Sequence, residues 1–124
     1  DVNGAPQAPV TGAQGKTPQF LVECPYSHAA PDDPIVYPGQ PGRSHMHLFF
    51  GNEDADAFST ADSLLTGSSL CDQRLDTASY WAPALYDGDR MVTPAKSVAY
   101  YRAGAGVDPA SIQPYPFGLQ VIAG

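Results

Sequence analysis

The sequence predicts a mainly β domain, with antiparallel sheets in a sandwich or jelly-roll-like arrangement, long Pro- and Gly-rich loops and one short helix. Three observations support this fold class. The 124 residues include 13 Pro and 12 Gly, which interrupt helices and favour turns. Only 15% of the residues are charged, which is unusual for a helical bundle. Seven tyrosines add to the prediction because aromatic side chains favour strands.

The chain is expected to form a flexible arm at residues 1–15 and a single β-rich domain at residues 16–124. The first strand is expected at residues 20–24, which have an aromatic and β-branched core. Residues 25–43 are expected to form a loop, since prolines recur through it and oppose regular structure. Loops of this length in a compact domain are usually functional.

The second strand is expected at residues 45–50. Side chains two positions apart in a strand point to the same face. His45, His47 and Phe49 are therefore predicted to lie on one face of the strand. The opposite face is apolar and is predicted to be core: Met46, Leu48 and Phe50.

A short helix is expected next, because Ser59 and Asp62 resemble a capping box and Gly67 can end the helix. A third strand is expected at residues 79–86, where Pro83 indicates an edge or a bulge. A turn at residues 87–89 predicts a hairpin with residues 90–92. Further strands are expected at residues 97–102 and 117–123.

Composition excludes several partners. The net charge is −7 and only six residues are Lys or Arg, so phosphate backbones and anionic membranes would be repelled. No apolar run approaches the roughly 18 residues that a membrane span requires. No nucleophile elbow, phosphate-binding loop or dinucleotide fingerprint is present. We therefore expect neither nucleic-acid binding, nor a membrane span, nor a nucleotide cofactor.

Cys24 and Cys71 are the two cysteines of the chain. Together with the low lysine content, they favour one disulfide in a secreted, extracellular protein. Such a bridge would stabilise the fold by about 4 kcal/mol on loop-entropy grounds. The alternative is a pair of free, buried thiols in a cytosolic protein.

The His45–His47 pair is the strongest chemical signal. Two imidazoles on one face can bind a metal, perform acid–base catalysis or hold a polar ligand. His28 lies on the preceding Pro-rich loop close to Asp32 and Asp33, so His28, His45 and His47 are the candidate metal ligands, with a carboxylate as an alternative third. Purely structural histidines are the remaining interpretation.

An aromatic set could form a sugar-stacking platform: Tyr80, Trp81, Tyr86, Tyr100 and Tyr101. The alternative is that these side chains alternate between core and sheet surface. Arg43 is one of few cations in an acidic chain, and it could bind a carboxylate or sulfate through two hydrogen bonds. Its alternative role is that of a surface ion-pair partner.

Several motifs resemble an uncharacterised secreted family, domain of unknown function nineteen-ninety-six. They are DPIVYPGQPG at 33–42, SHMH at 44–47, FFGN at 49–52, YWAPALY at 80–86 and the paired tyrosines at 100–101. The resemblance implies export from bacteria or fungi. Because fungal members often carry a sugar-binding WSC module, it also implies work on, or attachment to, cell-wall or environmental polysaccharide.

The sequence departs from the family in two ways. Leu48 stands where the family usually has an aspartate, and the resemblance covers only the N-terminal half of the family domain. We therefore expect a C-terminal half or a second chain to complete the sheet beyond Gly124.

These observations predict a secreted protein that acts on or binds polysaccharide. If it is an enzyme, His45 and His47 are the expected catalytic residues for glycosidic cleavage, and the predicted substrate contacts are Arg43, Tyr80, Trp81 and Tyr86. The alternatives are a non-catalytic carbohydrate- or wall-binding module and a metal-binding secreted protein. No cofactor is expected apart from that metal.

Overall fold

The computed structural model describes residues 19–123, and the predicted arm at residues 1–15 lies outside them. The prediction of a mainly β fold with one short helix is confirmed. The elements are β1 (Gln19–Ala30), β2 (His47–Gly51), α1 (Ala61–Leu65), β3 (Ser79–Pro83), β4 (Leu85–Asp87), β5 (Arg90–Val92) and β6 (Lys96–Arg102). A 3₁₀ turn follows at Pro109–Ser111.

Four strands form an antiparallel sheet in the order β3-β2-β1-β6, and β4 and β5 form a separate hairpin. The predicted hairpin is confirmed. Its turn contains Gly88 with φ of 61°, a conformation that favours glycine. Pro83 lies on the edge strand β3, as its missing N–H requires.

The first strand is longer than predicted, so the prediction of a loop from residue 25 is wrong. β1 pairs with β6 through Gln19 to Pro25 and with β2 through Tyr26 to Ala30. Pro25 is therefore the last residue of β1 that pairs with β6, immediately before the pairing with β2 begins. This position tolerates a residue without an N–H.

A β-bulge interrupts the pairing of β1 with β2 between Tyr26 and His28. A bulge inserts one extra residue and thereby reverses the face of the residues that follow it. Tyr26 packs against the core, whereas His28 stacks on Phe49 across the opposite face of the sheet. The bulge is thus the local feature that aims His28 toward the candidate site.

The core lies around the Cys24–Cys71 disulfide, which confirms the predicted bridge. Val22, Leu48 and Phe50 are buried against it, and Met91 of the hairpin packs on the same cluster, so both sheets share one core. Gly51 approaches the disulfide closely: a Cβ at this position would lie 2.7 Å from Cys71 Sγ, and its φ is 86°.

The helix is capped one residue later than predicted. Thr60 is the N-cap and forms a capping box with Ser63, and the helix ends at Leu65. The predicted cap, Ser59, is unavailable because its hydroxyl accepts a hydrogen bond from the backbone N–H of Asp56 at 2.8 Å.

Two predicted strands differ in the structure. The third strand divides at Ala84, whose N–H leaves the ladder and donates to the Met46 carbonyl at 2.9 Å. The strand predicted at residues 117–123 is wrong: this segment is exposed and pairs with no strand in the described part of the chain. A segment with a strand-like sequence forms a strand only where the edge of a neighbouring strand can pair with its backbone N–H and C=O groups.

Candidate functional site

The histidine pair lies where the chain enters β2. The strand begins at His47 rather than at the predicted residue 45, and His45 is exposed in the segment before it. The two rings nevertheless contact each other, with centroids 4.4 Å apart and planes inclined by 47°. The pair therefore combines one exposed and one buried imidazole.

A single backbone contact fixes the ring of His47, which is only 4% exposed. Its Nδ1 lies 2.9 Å from the Asp32 carbonyl oxygen. Because a carbonyl can only accept, Nδ1 must carry the hydrogen, and Nε2 of the neutral ring keeps its lone pair. The Oγ of Ser44 approaches Nδ1 at 3.4 Å, which is too long to compete with the carbonyl.

Burial sets the charge state of His47. It lowers the pKa of the imidazole below the ordinary value of 6.5, because the charged form loses its hydration. The hydrogen bond to the Asp32 carbonyl opposes this shift, and the neighbouring His45 adds to it. His47 is consequently neutral at neutral pH, with a fixed ring and a free lone pair.

Asp32 positions the loop that supplies this carbonyl. Its side chain is buried, and its two carboxylate oxygens accept from the N–H of Gly42 at 3.1 Å and of Ala57 at 3.2 Å. Asp33 Oδ1 accepts from the N–H of Ile35 and Val36. Sequence reasoning considered these two carboxylates as metal ligands; the structure uses them to hold the backbone of the loop.

An aromatic ladder crosses the sheet beside His47, formed by His28, Phe49 and Trp81 from three neighbouring strands. Phe49 is the strand partner of both of the others. The centroids of His28 and Phe49 are 4.8 Å apart with nearly parallel planes, and those of Phe49 and Trp81 are 5.7 Å apart. The edge contact of His47 with Trp81, at 4.7 Å and 88°, joins the histidine pair to the ladder.

His28 is a member of the aromatic ladder and does not join His45 and His47 in a metal site. Its Nε2 donates to the Ala55 carbonyl at 2.6 Å, and its Nδ1 lies 2.7 Å from Ser27 Oγ, so both ring nitrogens have partners. Within residues 19–123, the one group of three or more metal-type side chains with ligand atoms in mutual reach is Cys24, Cys71 and Asp76. Its two sulfurs are joined as the disulfide.

Trp81 is the member of the ladder that borders an open groove. It is half-buried, whereas Phe49 beneath it is fully buried. One side of Trp81 borders an open groove that is also lined by Pro34, Ile35 and Pro38 of the long loop. Neither His45 nor His47 lines this groove, so Trp81 is the link between it and the histidines.

One comparison assigns the chain to a family. A family model described as "Domain of unknown function (DUF1996)" matches residues 33–124, which include the histidine pair, Phe49 and Trp81. The chain belongs to the DUF1996 family. Comparison with curated proteins and with solved structures gives no match. No helix in the described part of this DUF1996 domain has the length and apolar character needed to cross a membrane.

In this DUF1996 domain, neither Arg43 nor Tyr86 lines the groove beside Trp81, although both were predicted substrate contacts. Arg43 is exposed on the loop before His45, with its guanidinium 5.3 Å from the ring centre of Tyr37. Tyr86 is exposed on β4 and pairs with Met91 in the separate hairpin. No ring contact within residues 19–123 joins Tyr86 or Tyr80 to the aromatic ladder.

Tyr80 is half-buried: it packs against the core and also lines the groove beside Trp81. Its hydroxyl donates to Asp76 at 2.9 Å and hydrogen-bonds the hydroxyl of Tyr101, while its ring packs against the core. Burial, followed by the contacts with Tyr101 and Asp76, raises the pKa of Tyr80 far above its ordinary value of 10.0. The phenol of Tyr80 is therefore neutral at neutral pH.

Asn52 gives the FFGN motif a structural role that sequence reasoning did not identify. The side chain is fully buried, donates to the Leu64 carbonyl at 3.2 Å and the Thr77 carbonyl at 2.6 Å, and accepts from the Asp54 N–H. It thereby ties α1 and the entry to β3 onto the end of β2. A Gly-Asn pair that ends a strand is the signal that could have indicated this junction.

Proposed function

We propose that this DUF1996 domain is an extracellular carbohydrate-active protein, in which a sugar ring stacks on Trp81 and His47 acts as a general base. The observation that carries the proposal is the state of His47: neutral, fixed through Nδ1 and in edge contact with Trp81. A base must be deprotonated and oriented, and a ring held at one nitrogen presents the other in a defined direction.

In this proposal Trp81 provides binding and His47 provides proton transfer. An indole ring is a large, rigid apolar surface with one polar N–H, a combination suited to the apolar face of a sugar. Nε2 of His47 accepts a proton from water or from a sugar hydroxyl within about 2.6–3.2 Å. Exposed His45 lies against His47, so the pair has one member that is open to water.

The chemistry proposed is hydrolysis of a glycosidic bond. Water loses a proton to His47 as its oxygen bonds to the anomeric carbon, and the leaving oxygen takes a proton from a solvent water as the glycosidic bond breaks. The hydroxide formed from that water is neutralised by the proton that His47 then releases. His47 takes the place of the carboxylate that serves as general base in inverting glycosidases. The carboxylate of Asp32, behind His47, is already occupied by two backbone N–H groups.

The extracellular location is proposed on two grounds. A buried disulfide persists in oxidising compartments and is rare in the cytosol. The net charge of −7 also disfavours the binding of nucleic acids, which are abundant polymeric ligands inside cells.

The proposal is tested by incubating the domain with neutral, cationic and anionic polysaccharides and measuring new reducing ends. We expect release from at least one polymer, at least about 100-fold slower turnover for His47→Asn, and weakened binding for Trp81→Ala. Tyr86→Ala is the matched control, because this exposed aromatic residue lies on the separate hairpin. Release that is unchanged in His47→Asn, or absent from every polymer, would contradict catalysis.

A second candidate function is a non-catalytic carbohydrate-binding module. It is favoured by Leu48, which stands where the family usually has an aspartate and is buried in the core on the face opposite to His47. This module would retain a polysaccharide without releasing products. Affinity electrophoresis would then show retention that is lost in Trp81→Ala and kept in His47→Ala.

A further inference from the structure

The groove beside Trp81 extends past the edge strand β3 to β6. It is lined by Trp81 and Tyr80 of β3, by Tyr101 of β6 and by residues of the segment that follows β6. Tyr101 is 49% exposed, so part of its side chain is accessible from the groove. A polymer that stacks on Trp81 therefore meets a second aromatic residue with a polar group in the same groove.

Tyr80 and Tyr101 meet although their strands lie at opposite ends of the sheet. Two strands separate β3 from β6 in the order β3-β2-β1-β6, so a flat sheet would hold them about 14 Å apart. The hydroxyls of the two tyrosines nevertheless form a hydrogen bond. The ring of Tyr101 also packs on that of Phe20 in β1, with centroids 5.8 Å apart. Tyr101 is thus held in place at both its ring and its hydroxyl.

The number of available hydrogens fixes the direction of this hydrogen bond. Asp76 is buried, and its Oδ2 accepts from the Tyr80 hydroxyl at 2.9 Å. A phenol has one hydrogen, so Tyr80 can only accept from Tyr101. The hydrogen of Tyr101 is therefore directed at Tyr80, and the oxygen of Tyr101 has a lone pair left for a donor in the groove.

Asp76 keeps this chain of hydrogen bonds in one direction. Its Oδ1 accepts from the Ala78 N–H at 3.0 Å, so both carboxylate oxygens are acceptors and neither has a hydrogen to give. Burial raises the pKa of Tyr101 above its ordinary value of 10.0, and the charge of Asp76 adds to this shift, which the contact with Tyr80 opposes. Tyr101 therefore keeps its hydrogen at neutral pH and acts toward the groove as an acceptor.

We propose that Tyr101 is a specificity-determining residue of the groove, whose hydroxyl oxygen accepts a hydrogen bond from a sugar hydroxyl. The inference rests on the proposed function, because the ligand is the polysaccharide that stacks on Trp81. A site that accepts from a hydroxyl rejects a ligand in which that hydrogen is replaced, since two oxygens then face each other without a hydrogen between them. The domain thus selects chains with free hydroxyls over chains that carry O-methyl or O-acetyl groups at this contact.

Affinity electrophoresis of the full chain tests the assignment with three neutral polymers, xylan, galactomannan and mixed-linkage β-glucan, each unmodified and O-methylated. We expect the wild type to bind an unmodified polymer about tenfold more tightly than its O-methylated form. Tyr101→Phe keeps the ring on Phe20 but lacks the hydroxyl, so this ratio should fall at least about threefold. Tyr86→Phe is the matched control, because this exposed tyrosine lies on the separate hairpin, and it should keep the wild-type ratio.

Asp76→Asn tests the direction of the hydrogen bonds in the same assay. The amide nitrogen of the new side chain can donate to Tyr80, so Tyr80 can donate to Tyr101 and Tyr101 can donate to the ligand. We expect this variant to bind the O-methylated polymer more tightly than the wild type does, because an ether oxygen accepts a hydrogen bond. A purely structural role of the three residues would instead weaken the binding of both polymer forms equally.

Two outcomes would overturn the role of Tyr101 alone. One is a Tyr101→Phe variant that binds both polymer forms as the wild type does, and the other is an Asp76→Asn variant without a relative gain for the O-methylated form. Retention of the wild type by no polymer would overturn the proposed function and this assignment together. The cases are distinguishable because in the first two the wild type is retained and Trp81→Ala abolishes that retention. Circular dichroism of each variant checks that the fold is kept.

Discussion

At the scale of single residues, the properties of the site follow from how His47 is held. Its Nδ1–H donates to a loop carbonyl 15 residues earlier in the chain, and its ring makes an edge contact with the indole of Trp81. Neither contact requires the ring to be charged, and burial disfavours the charge. A histidine in this environment acts as a base rather than as a cation.

The pH dependence of stability provides a test of that environment. The folded-state pKa of His47 is lowered, so the unfolded chain binds a proton at this residue more readily. The contribution of His47 to stability is therefore complete above pH 6.5 and is lost as the pH falls through the lowered folded-state value. We expect urea unfolding to show this decline and His47→Asn to reduce it. Equal slopes for the two proteins between neutral and mildly acidic pH would contradict the assignment.

Asn52 should make one of the largest side-chain contributions to stability outside the apolar core. Asn52→Ala removes three hydrogen bonds and takes the side-chain donor from the half-buried Thr77 carbonyl, whereas the Leu64 carbonyl keeps the Gly67 N–H. We expect a loss of about 2–3 kcal/mol in the free energy of unfolding, measured in urea. Gln113→Ala, at an exposed position, is the control and should change it by less than about 0.5 kcal/mol. An equally small effect for Asn52→Ala would contradict the role given to this residue.

At the scale of secondary-structure elements, β1 organises the domain because it has two partners. Its first half pairs with β6 and its second half with β2, and the bulge between Tyr26 and His28 lets one strand serve both the disulfide core and the aromatic ladder. The Cys24–Cys71 bridge then fastens the middle of β1 to the loop that follows α1.

Removal of this bridge should weaken the whole sheet. For Cys24→Ala/Cys71→Ala we expect a loss of about 4 kcal/mol from the longer loop of the unfolded chain, together with a packing loss in the core. Urea unfolding of the double variant against the oxidised wild type measures the difference. A change below about 1 kcal/mol would show that the bridge is peripheral to the fold.

Local sequence signals predicted some elements well and others poorly. The hairpin of β4 and β5 was predictable because the turn residues Asp87, Gly88 and Asp89 lie between its strands, and β6 was predictable from its own pattern. The bulge in β1 was not, because it depends on the register of β2, which is distant in sequence. Residues 117–123 have a strand pattern, but a strand also needs a partner, and the segment itself does not reveal one.

The candidate site was predictable to a similar extent. The spacing of His45 and His47 predicted two neighbouring imidazoles, and their rings do contact each other. The sequence could not indicate that one ring is buried and the other exposed, because the strand starts at His47 and the Asp32 loop covers only that ring. The partition of the aromatic residues, with Trp81 at the site and Tyr80 against the core, also depends on which face of β3 each occupies.

At the scale of the whole molecule, the acidic charge limits which polymers the domain can hold. With a net charge of −7, the domain should repel anionic polysaccharides at low salt. Its retention by neutral polysaccharides should not depend on the salt concentration. Affinity electrophoresis at low and high ionic strength measures this. Strong retention of an anionic polymer that weakens with salt would contradict the expectation and would direct attention to Arg43.

The account rests on the joint action of His47 and Trp81 toward a sugar. The most direct measurement is a nitrogen–proton NMR titration of the full chain with an oligosaccharide of the polymer that it retains. We predict that the imidazole nitrogens of His47 and the indole N–H of Trp81 shift together with one dissociation constant, while the backbone amide of Tyr86 stays unchanged. A saturating titration in which the His47 and Trp81 signals do not move would contradict the account.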